Sequence, residues 1–403
     1  MQRFNKPLFI IILFFSSSII GQNRNPKIAS ILAEVSLDSL TSYVRILSGE
    51  ETVVVNGQES SIINRVYNSL FNKAAADYLL QKLSSFGLET EELNFSSDGT
   101  NIIAIQQGIL YPDQYYIICG HYDSVTDYCA DDNASGSAAV IEVARVLSKF
   151  SLNYSVIYAL WDEEEIGLNG SEAFAENAAT MEMDIKGVIN LDMIGYDSND
   201  DGFVEIHTDN SVAGTEPLYE PIMIMDSVYQ LGVSPQLFKN GTSASDHASF
   251  LREGYPAVLI IEGLRSGDFN PYYHSKEDRI NKFNLNYFLN VTKLVFISLA
   301  NFVLPVTTNL KPPQVVMNYT LNNNYPNPFN PSTIITYSIP STSNVVLKVY
   351  DLLGREVEVL VNKIQSPGHY EAHFEARDIP SGTYFYTLKA GDFSQTRKML
   401  IVK

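Results

Sequence analysis

The chain has 403 residues, is 45% hydrophobic, and carries 27 Lys and Arg against 46 Asp and Glu, a formal net charge of −19. That apolar content supports a sizeable buried core, and the length exceeds one average domain, so two domains are expected. The acidic field repels phosphate backbones and excludes nucleic acid as a partner, while six histidines are few enough that any beside carboxylates is informative.

In chain order, Arg3 and Lys6 precede the apolar run Pro7 to Ile20, and Gly21 and Gln22 follow. A basic start, a short apolar centre and a small residue predict a cleaved export signal over residues 1–21. The run is shorter than the roughly 20 residues a membrane span needs, and no later stretch reaches that length, so no transmembrane span is expected in the mature protein. From Asn25 to about Glu92 the apolar period is helical, in SLDSLTSYVRILSG and NKAAADYLLQKLSSFGL, until Gly87 stops it. Strand-like runs follow at Asn101 to Gly108 and Gln114 to Gly120, then a helix in ASGSAAVIEVARVLSKF and a strand in YSVIYALWD. KGVINLDMIG and PAVLIIEG continue as strands alternating with helical segments such as TEPLYEPIMIMDSVYQLG, and a last helix covers Asn284 to Phe302. This alternation predicts an α/β layered fold.

In such sheets ligand sites gather beyond the carboxyl ends of strands. QYYIICG is followed by His121 and Asp123, YSVIYALW by the acidic run Asp162 to Glu165, and GVINL by Asp192. Loops add Asp131 and Asp132 in ADDNASG and His274 in PYYHSKED. Four adjacent carboxylates in WDEEEIGLNGS repel one another unless a cation offsets them. Zinc accepts imidazole nitrogen and carboxylate oxygen, and two zincs about 3.5 to 4 Å apart need one bridging carboxylate. An unligated carboxylate beside them can carry a proton to a leaving amine, which is the chemistry of peptide hydrolysis.

GHYDS, ADDNASG, DEEEIGLNGS, NLDMIG and YHSKED, in this order over roughly residues 40 to 303, closely resemble the secreted dizinc aminopeptidases, relatives of glutaminyl cyclase and glutamate carboxypeptidase. The resemblance implies a three-layer zinc-peptidase fold with a mixed, mostly parallel central sheet. It implies one zinc on His121 and Asp192, a second on Glu165 and His274, and Asp132 bridging them. Glu164 matches the family's general base and acid, Asp123 the residue that orients His121, and Tyr273 a carbonyl-stabilising tyrosine. Peptide substrates and release of N-terminal residues are expected; a glutaminyl-cyclase-like or carboxypeptidase-like activity, or a non-catalytic surface binding protein, are the alternatives.

Other residues are assigned lesser roles. Asp131, Asp162 and Glu163 are expected to tune charge or lie in solvent, and Asp246 and His247 in GTSASDHASF to support the site or the structure. Ser135 lacks the GxSxG context of a serine hydrolase. Cys119 and Cys129 flank the first ligand loop, and export permits either a disulfide or two buried thiols. Asp197, Asn199 and Asp201 before Gly202 have the spacing of a calcium loop, with Glu205 a further candidate. Thr208 replaces the bidentate glutamate, so a plain acidic turn is preferred.

After Leu304 the composition turns Pro- and Asn-rich, predicting a peptidase domain over residues 22–304 and a linker over 305–321. Residues 322–403 alternate apolar and polar in TIITYSI, VVLKVYDL, YEAHFEA, GTYFYTLKA and RKMLIVK, predicting a small all-β, immunoglobulin-like sandwich. NNYPNPFNPSTIITYSIP, VYDLLGREV and IPSGTYFYTLKAG resemble the type IX secretion C-terminal sorting domain. That resemblance implies export by the leader, outer-membrane translocation by the type IX machinery, and a secreted or cell-surface protein.

Overall fold

The computed structural model describes residues 24–304, 319–340, 342–365, 368–377, 379–391 and 393–402. The expected export signal and most of the expected linker lie outside them. The chain divides into two compact units, Met1–Leu310 and Lys311–Lys403.

The first unit begins with α1 (Pro26–Leu32) and α2 (Leu37–Leu47). Ser36 caps α2 by accepting the Ser39 N–H, and Leu40, Val44 and Leu47 recur at helical spacing on its buried face. A hairpin of β1 (Val53–Val55) and β2 (Gln58–Ser60) precedes α3 (Leu70–Ser84). The strands β3 (Glu89–Asn94), β4 (Thr100–Gln106) and β5 (Tyr111–His121) follow, then α4 (Gly136–Leu147), β6 (Tyr154–Trp161), α5 (Asn169–Thr180) and β7 (Asp184–Leu191). The unit closes with β8 (Phe203–His207), α6 (Thr215–Tyr229), β9 (Ser234–Phe238), α7 (His247–Arg252), β10 (Ala257–Ile261) and α8 (Leu285–Val303).

Eight strands form one mixed sheet in the order β3-β4-β6-β5-β7-β10-β8-β9. Its centre is parallel, β6 with β5, β5 with β7 and β7 with β10, while β3, β4 and β8 enter antiparallel. Alternate side chains feed two cores. On β6, Val156, Tyr158 and Leu160 join the larger cluster with α4 and α8, whereas Ile157, Ala159 and Trp161 join Phe174 of α5 and Phe250 of α7. The layers are therefore helix, sheet, helix, as the sequence pattern predicts. The stretch expected to be helical up to Glu92 departs from that expectation: it also holds the β1–β2 hairpin and β3. β3 is exposed except for half-buried Thr90 and Leu93 and lies at the sheet edge, where only one strand pairs with it.

The second unit has β11 (Thr320–Leu321), β12 (Ser332–Ile339), β13 (Ser343–Tyr350), β14 (Glu356–Gln365), β15 (Gly368–Glu375), β16 (Gly382–Ala390) and β17 (Phe393–Ile401). They build two antiparallel sheets, β11-β12-β15 and β14-β13-β16-β17. Ile335 and Tyr337 from one sheet and Val345, Leu347, Val349, Tyr386 and Leu388 from the other share a single core. The last two residues of the expected linker, Thr320 and Leu321, pair with Ser338 and Tyr337.

Candidate metal centre

The parallel register places the strand ends side by side. His121 is the last residue of β5 and pairs with Trp161, the last of β6; Asp192 follows β7. Beyond β5 the chain turns through Tyr128 and Cys129, both at positive φ, into an irregular turn at 130–135 that carries Asp131 and Asp132. Beyond β6, Glu163 at φ 59 redirects the acidic run. Glu164 and Glu165 therefore face the same cleft as His121, Asp132, Asp192 and Tyr273.

Arg65, which the sequence reading passed over, fixes these turns. Its fully buried guanidinium donates to the carbonyls of Leu47, Tyr122, Tyr128 and Cys129. Asp123 does the same for the acidic run. Its carboxylate pairs with His121 Nδ1 at 3.2 Å and accepts the backbone N–H groups of Glu164 and Glu165 at 3.2 and 3.1 Å.

Two imidazoles converge on one carboxylate. His121 Nε2 lies 3.4 Å from Asp132 Oδ1 and 3.5 Å from Asp192 Oδ1, with Glu164 Oε2 at 3.9 Å. His274 Nε2 lies 3.2 Å from Asp132 Oδ2 and 3.1 Å from Glu165 Oε2. Asp132 thus presents a different oxygen to each imidazole. Glu165 Oε1 is buried without a hydrogen-bond partner, and such an orphaned oxygen costs free energy unless a cation satisfies it. His121, Asp132 and Glu165, and His121, Glu164 and Asp192, each offer ligand atoms within 4.8 Å of one another. The donor set of imidazole nitrogen and carboxylate oxygen suits zinc. Tyr273 stacks on His274 with ring centroids 3.7 Å apart, at the open side of the cleft.

Burial governs the protonation of this cluster. It pushes the Glu164 carboxyl up to about 10, with Asp246 and Asp192 adding repulsion against the attraction of His121. It likewise pushes Glu165 up to about 8, with Asp132 adding to the rise. Burial would lower His121, but Glu164, Asp192, Asp123 and Asp132 outweigh it and hold the imidazole well above its ordinary value. For Asp132 burial would raise the carboxyl, and the two histidines reverse this and hold it far below the usual range. Without a cation the cleft therefore retains protons that a metal would displace.

Several expectations need correction. Asp162 and Glu163 do not lie in solvent: they are 1% and 3% exposed. Asp162 accepts from Asn72 Nδ2 and the Thr100 N–H, and Glu163 from Ser96 Oγ and Asn169 Nδ2, so both anchor the run to the scaffold. Asp131 is buried too, accepting the Gly195 N–H and Asn270 Nδ2. Asp278, last residue of the YHSKED motif, accepts the N–H groups of Asp131 and Asp132. Glu262 follows β10 as Asp192 follows β7, and receives the Tyr196 N–H; the strand-end rule would have found it. Asp246 is buried with both oxygens unpartnered, and His247 Nε2 donates to the Thr242 carbonyl. Cys119 and Cys129 are both free and buried.

The acidic turn at 197–202 is closed by its own amides. Asp197 accepts the N–H groups of Asp201 and Gly202, Asn199 Oδ1 accepts that of Asp201, and Asp201 accepts that of Phe203. Glu205 is buried on β8 and bonded to His207, away from a ligand role in that turn.

Residues 101–298 match the model of peptidase family M28, and residues 323–403 match the secretion system C-terminal sorting domain. The chain carries an M28 peptidase domain and a type IX sorting tail. Leupeptin-inactivating enzyme 1 of Streptomyces exfoliatus is 32% identical over 234 residues, covering 53% of this chain and 51% of that protein. Leucine aminopeptidase 1 of Paracoccidioides brasiliensis is 30% identical over 195 residues, covering 44% and 49% respectively. The chain thus spans about half the length of the curated relatives it matches. The M28 domain shares its fold with the LapA aminopeptidase of Legionella pneumophila, at TM-score 0.59, 21% identity and coverage of 69% and 74%. It also shares it with Porphyromonas gingivalis glutaminyl cyclase, at TM-score 0.55, 19% identity and coverage of 66% and 99%. Among the described residues no helix is long and apolar enough to cross a membrane.

Proposed function

We propose that this protein is a secreted, zinc-dependent aminopeptidase that hydrolyses the first peptide bond of peptides. The observation that carries the reading is Asp132, whose two oxygens face two different imidazoles, each paired with a second carboxylate. His121 and Asp192 would hold one zinc, His274 and Glu165 the other, and Asp132 would bridge them. Bound zinc lowers the pKa of water and polarises a carbonyl.

The chain's own residues supply the rest. Glu164, buried beside His121, takes the proton of the attacking water and returns it to the leaving amine. Asp123 holds the His121 ring so that Nε2 faces the cleft. Tyr273 donates to the substrate carbonyl oxygen from the cleft rim. Met193, Ile261, Leu264 and Phe269 give the cleft an apolar wall against which a side chain can be desolvated. Export begins with the leader at residues 1–21, and the tail directs passage across the outer membrane to the medium or cell surface.

A library of free and N-blocked peptides, with metal analysis alongside, tests the reading. Cleavage confined to free N-termini with two zincs per chain is the expected result. Release from the C-terminus, cyclisation of N-terminal Gln, or no turnover by the zinc-loaded protein would each overturn it.

A further inference from the structure

Behind the cleft wall lies a buried pair with no part in the chemistry above. Glu205 and His207 are two apart on β8, so their side chains share one face of the sheet, and both are fully buried. His207 Nδ1 accepts the backbone N–H of Thr242 at 3.1 Å, and Nε2 lies 2.6 Å from Glu205 Oε2. With its Nδ1 lone pair in use, the imidazole carries its proton on Nε2 and donates it to Glu205. The other oxygen, Glu205 Oε1, accepts the N–H groups of Arg265 and Ser266 at 2.6 and 3.0 Å. The ring is stacked on Phe238 with centroids 4.8 Å apart, and Gly241 packs so closely that a Cβ there would come within 2.5 Å of His207 Cβ. The imidazole is held in one plane between these neighbours.

The two loops bound by this pair both contribute to the cleft lining. Thr242 and Ala244 from one, and Leu264 from the other, line the same space as His121, Glu164 and Asp192. Ser245, three residues beyond Thr242, donates to Asp192 Oδ2 at 2.7 Å, so the first loop is registered against the metal centre. Leu264, next to Arg265, packs on Met193 and Ile261.

We infer that Glu205 and His207 are positioning residues that set the width of the side-chain cleft. They fix the loop of Thr242 and Ala244 at a set distance from the loop of Leu264 through a continuous chain of hydrogen bonds, Thr242 to His207 to Glu205 to Arg265 and Ser266. The inference rests on the cleft being the substrate site proposed above. Its chemical consequence is discrimination between large and small apolar side chains at the substrate N-terminus, with no contact between the pair and the reacting atoms.

Three substitutions separate this role from packing alone. His207→Asn keeps an acceptor near Nδ1, His207→Gln keeps a donor near Nε2, and His207→Phe keeps a ring on Phe238. The zinc-loaded full chain is assayed for kcat and KM on leucine and alanine p-nitroanilides, and hydrogen exchange is followed at the Thr242 amide. His207→Asn retains Thr242 protection but has nothing at the Nε2 position to reach Glu205, so it shares the loss of discrimination expected of the other two. His207→Gln and His207→Phe each raise KM for the leucine amide about tenfold, the worth of one hydrogen bond, with kcat within about twofold and the alanine amide little changed. A mildest effect in His207→Phe, or an equal loss on both substrates through kcat, identifies a packing residue and overturns the inference. Unchanged Thr242 exchange in all three variants overturns it whether or not the wild-type protein hydrolyses either amide. Failure of the wild type to hydrolyse both would refute the proposed function and leave the exchange result to decide the hydrogen-bonded link.

Discussion

The Asp123 carboxylate accepts the backbone N–H of Glu165 at 3.1 Å while its other oxygen lies 3.2 Å from His121 Nδ1. One side chain thus orients an imidazole on β5 and the acidic run after β6 together. Asp123→Ala is expected to weaken zinc binding about 10- to 100-fold, the usual effect of losing a partner that orients a ligand. Competition with a chromogenic chelator reads this, and wild-type affinity in the variant would remove Asp123 from the site.

Glu164 offers a cleaner separation of binding from turnover. Glu164→Gln keeps the size and much of the hydrogen bonding of the side chain but cannot cycle a proton. The variant should retain both zincs by elemental analysis and lose about 10²- to 10⁴-fold in kcat. A variant working at near wild-type rate would mean that another group moves the proton.

The metal-free protein should have an inverted pH profile. Glu165 and Asp278 are raised to about 8 and Asp246 to about 7, each chiefly by burial. A group raised in the folded state stabilises below its unfolded pKa and loses that contribution as pH climbs through its folded pKa. His121, also raised, acts in the same direction. His247 is lowered to about 4 by burial and opposes them only below about pH 6.5, its unfolded value. From pH 6.5 to 9 the Tm of the chelator-treated protein should therefore fall, and zinc should flatten the curve by taking up the deprotonated ligands. A Tm rising over that window in the metal-free protein would contradict the assignment.

Zinc should leave in two phases. The His274 side chain is 38% exposed, whereas that of His121 is 1% exposed. Water and chelator reach the ion on His274 and Glu165 first. Stopped-flow chelation should resolve a fast and a slow step of equal amplitude, and His274→Ala should abolish the fast one.

Calcium at the 197–202 turn is tested by titration. The Asp197, Asn199 and Asp201 oxygens already accept backbone N–H groups, so millimolar calcium should leave the Tm unchanged. An upward shift would establish a site there.

Much of this was legible because parallel strands turn sequence order into spatial order. Apolar runs ending at His121, Trp161 and Leu191 place whatever follows them at one edge of the sheet, so His121, the acidic run and Asp192 could be chosen by that rule. The roles of Asp132 and His274, on loops, rested instead on the family resemblance. What escaped depended on partners distant in sequence. Glu163 looks solvated in its own stretch and is buried only because Ser96 and Asn169 fold over it. Arg65 sits between helical segments with nothing to mark it, since its task is to hold carbonyls 18 to 64 positions away. β3 and β8 were missed because an edge strand with half-buried residues and a five-residue strand give too few alternations to read.

The Arg65 guanidinium bonds to four main-chain carbonyls and to no side chain of the residues it holds. The guanidinium therefore makes no demand of its own on the side chains at positions 47, 122, 128 and 129, which answer instead to burial and backbone conformation. Arginine itself is required, because a lysine presents one nitrogen where four separate acceptors must be met. Relatives that keep this turn should hold arginine here whatever side chains carry the four carbonyls.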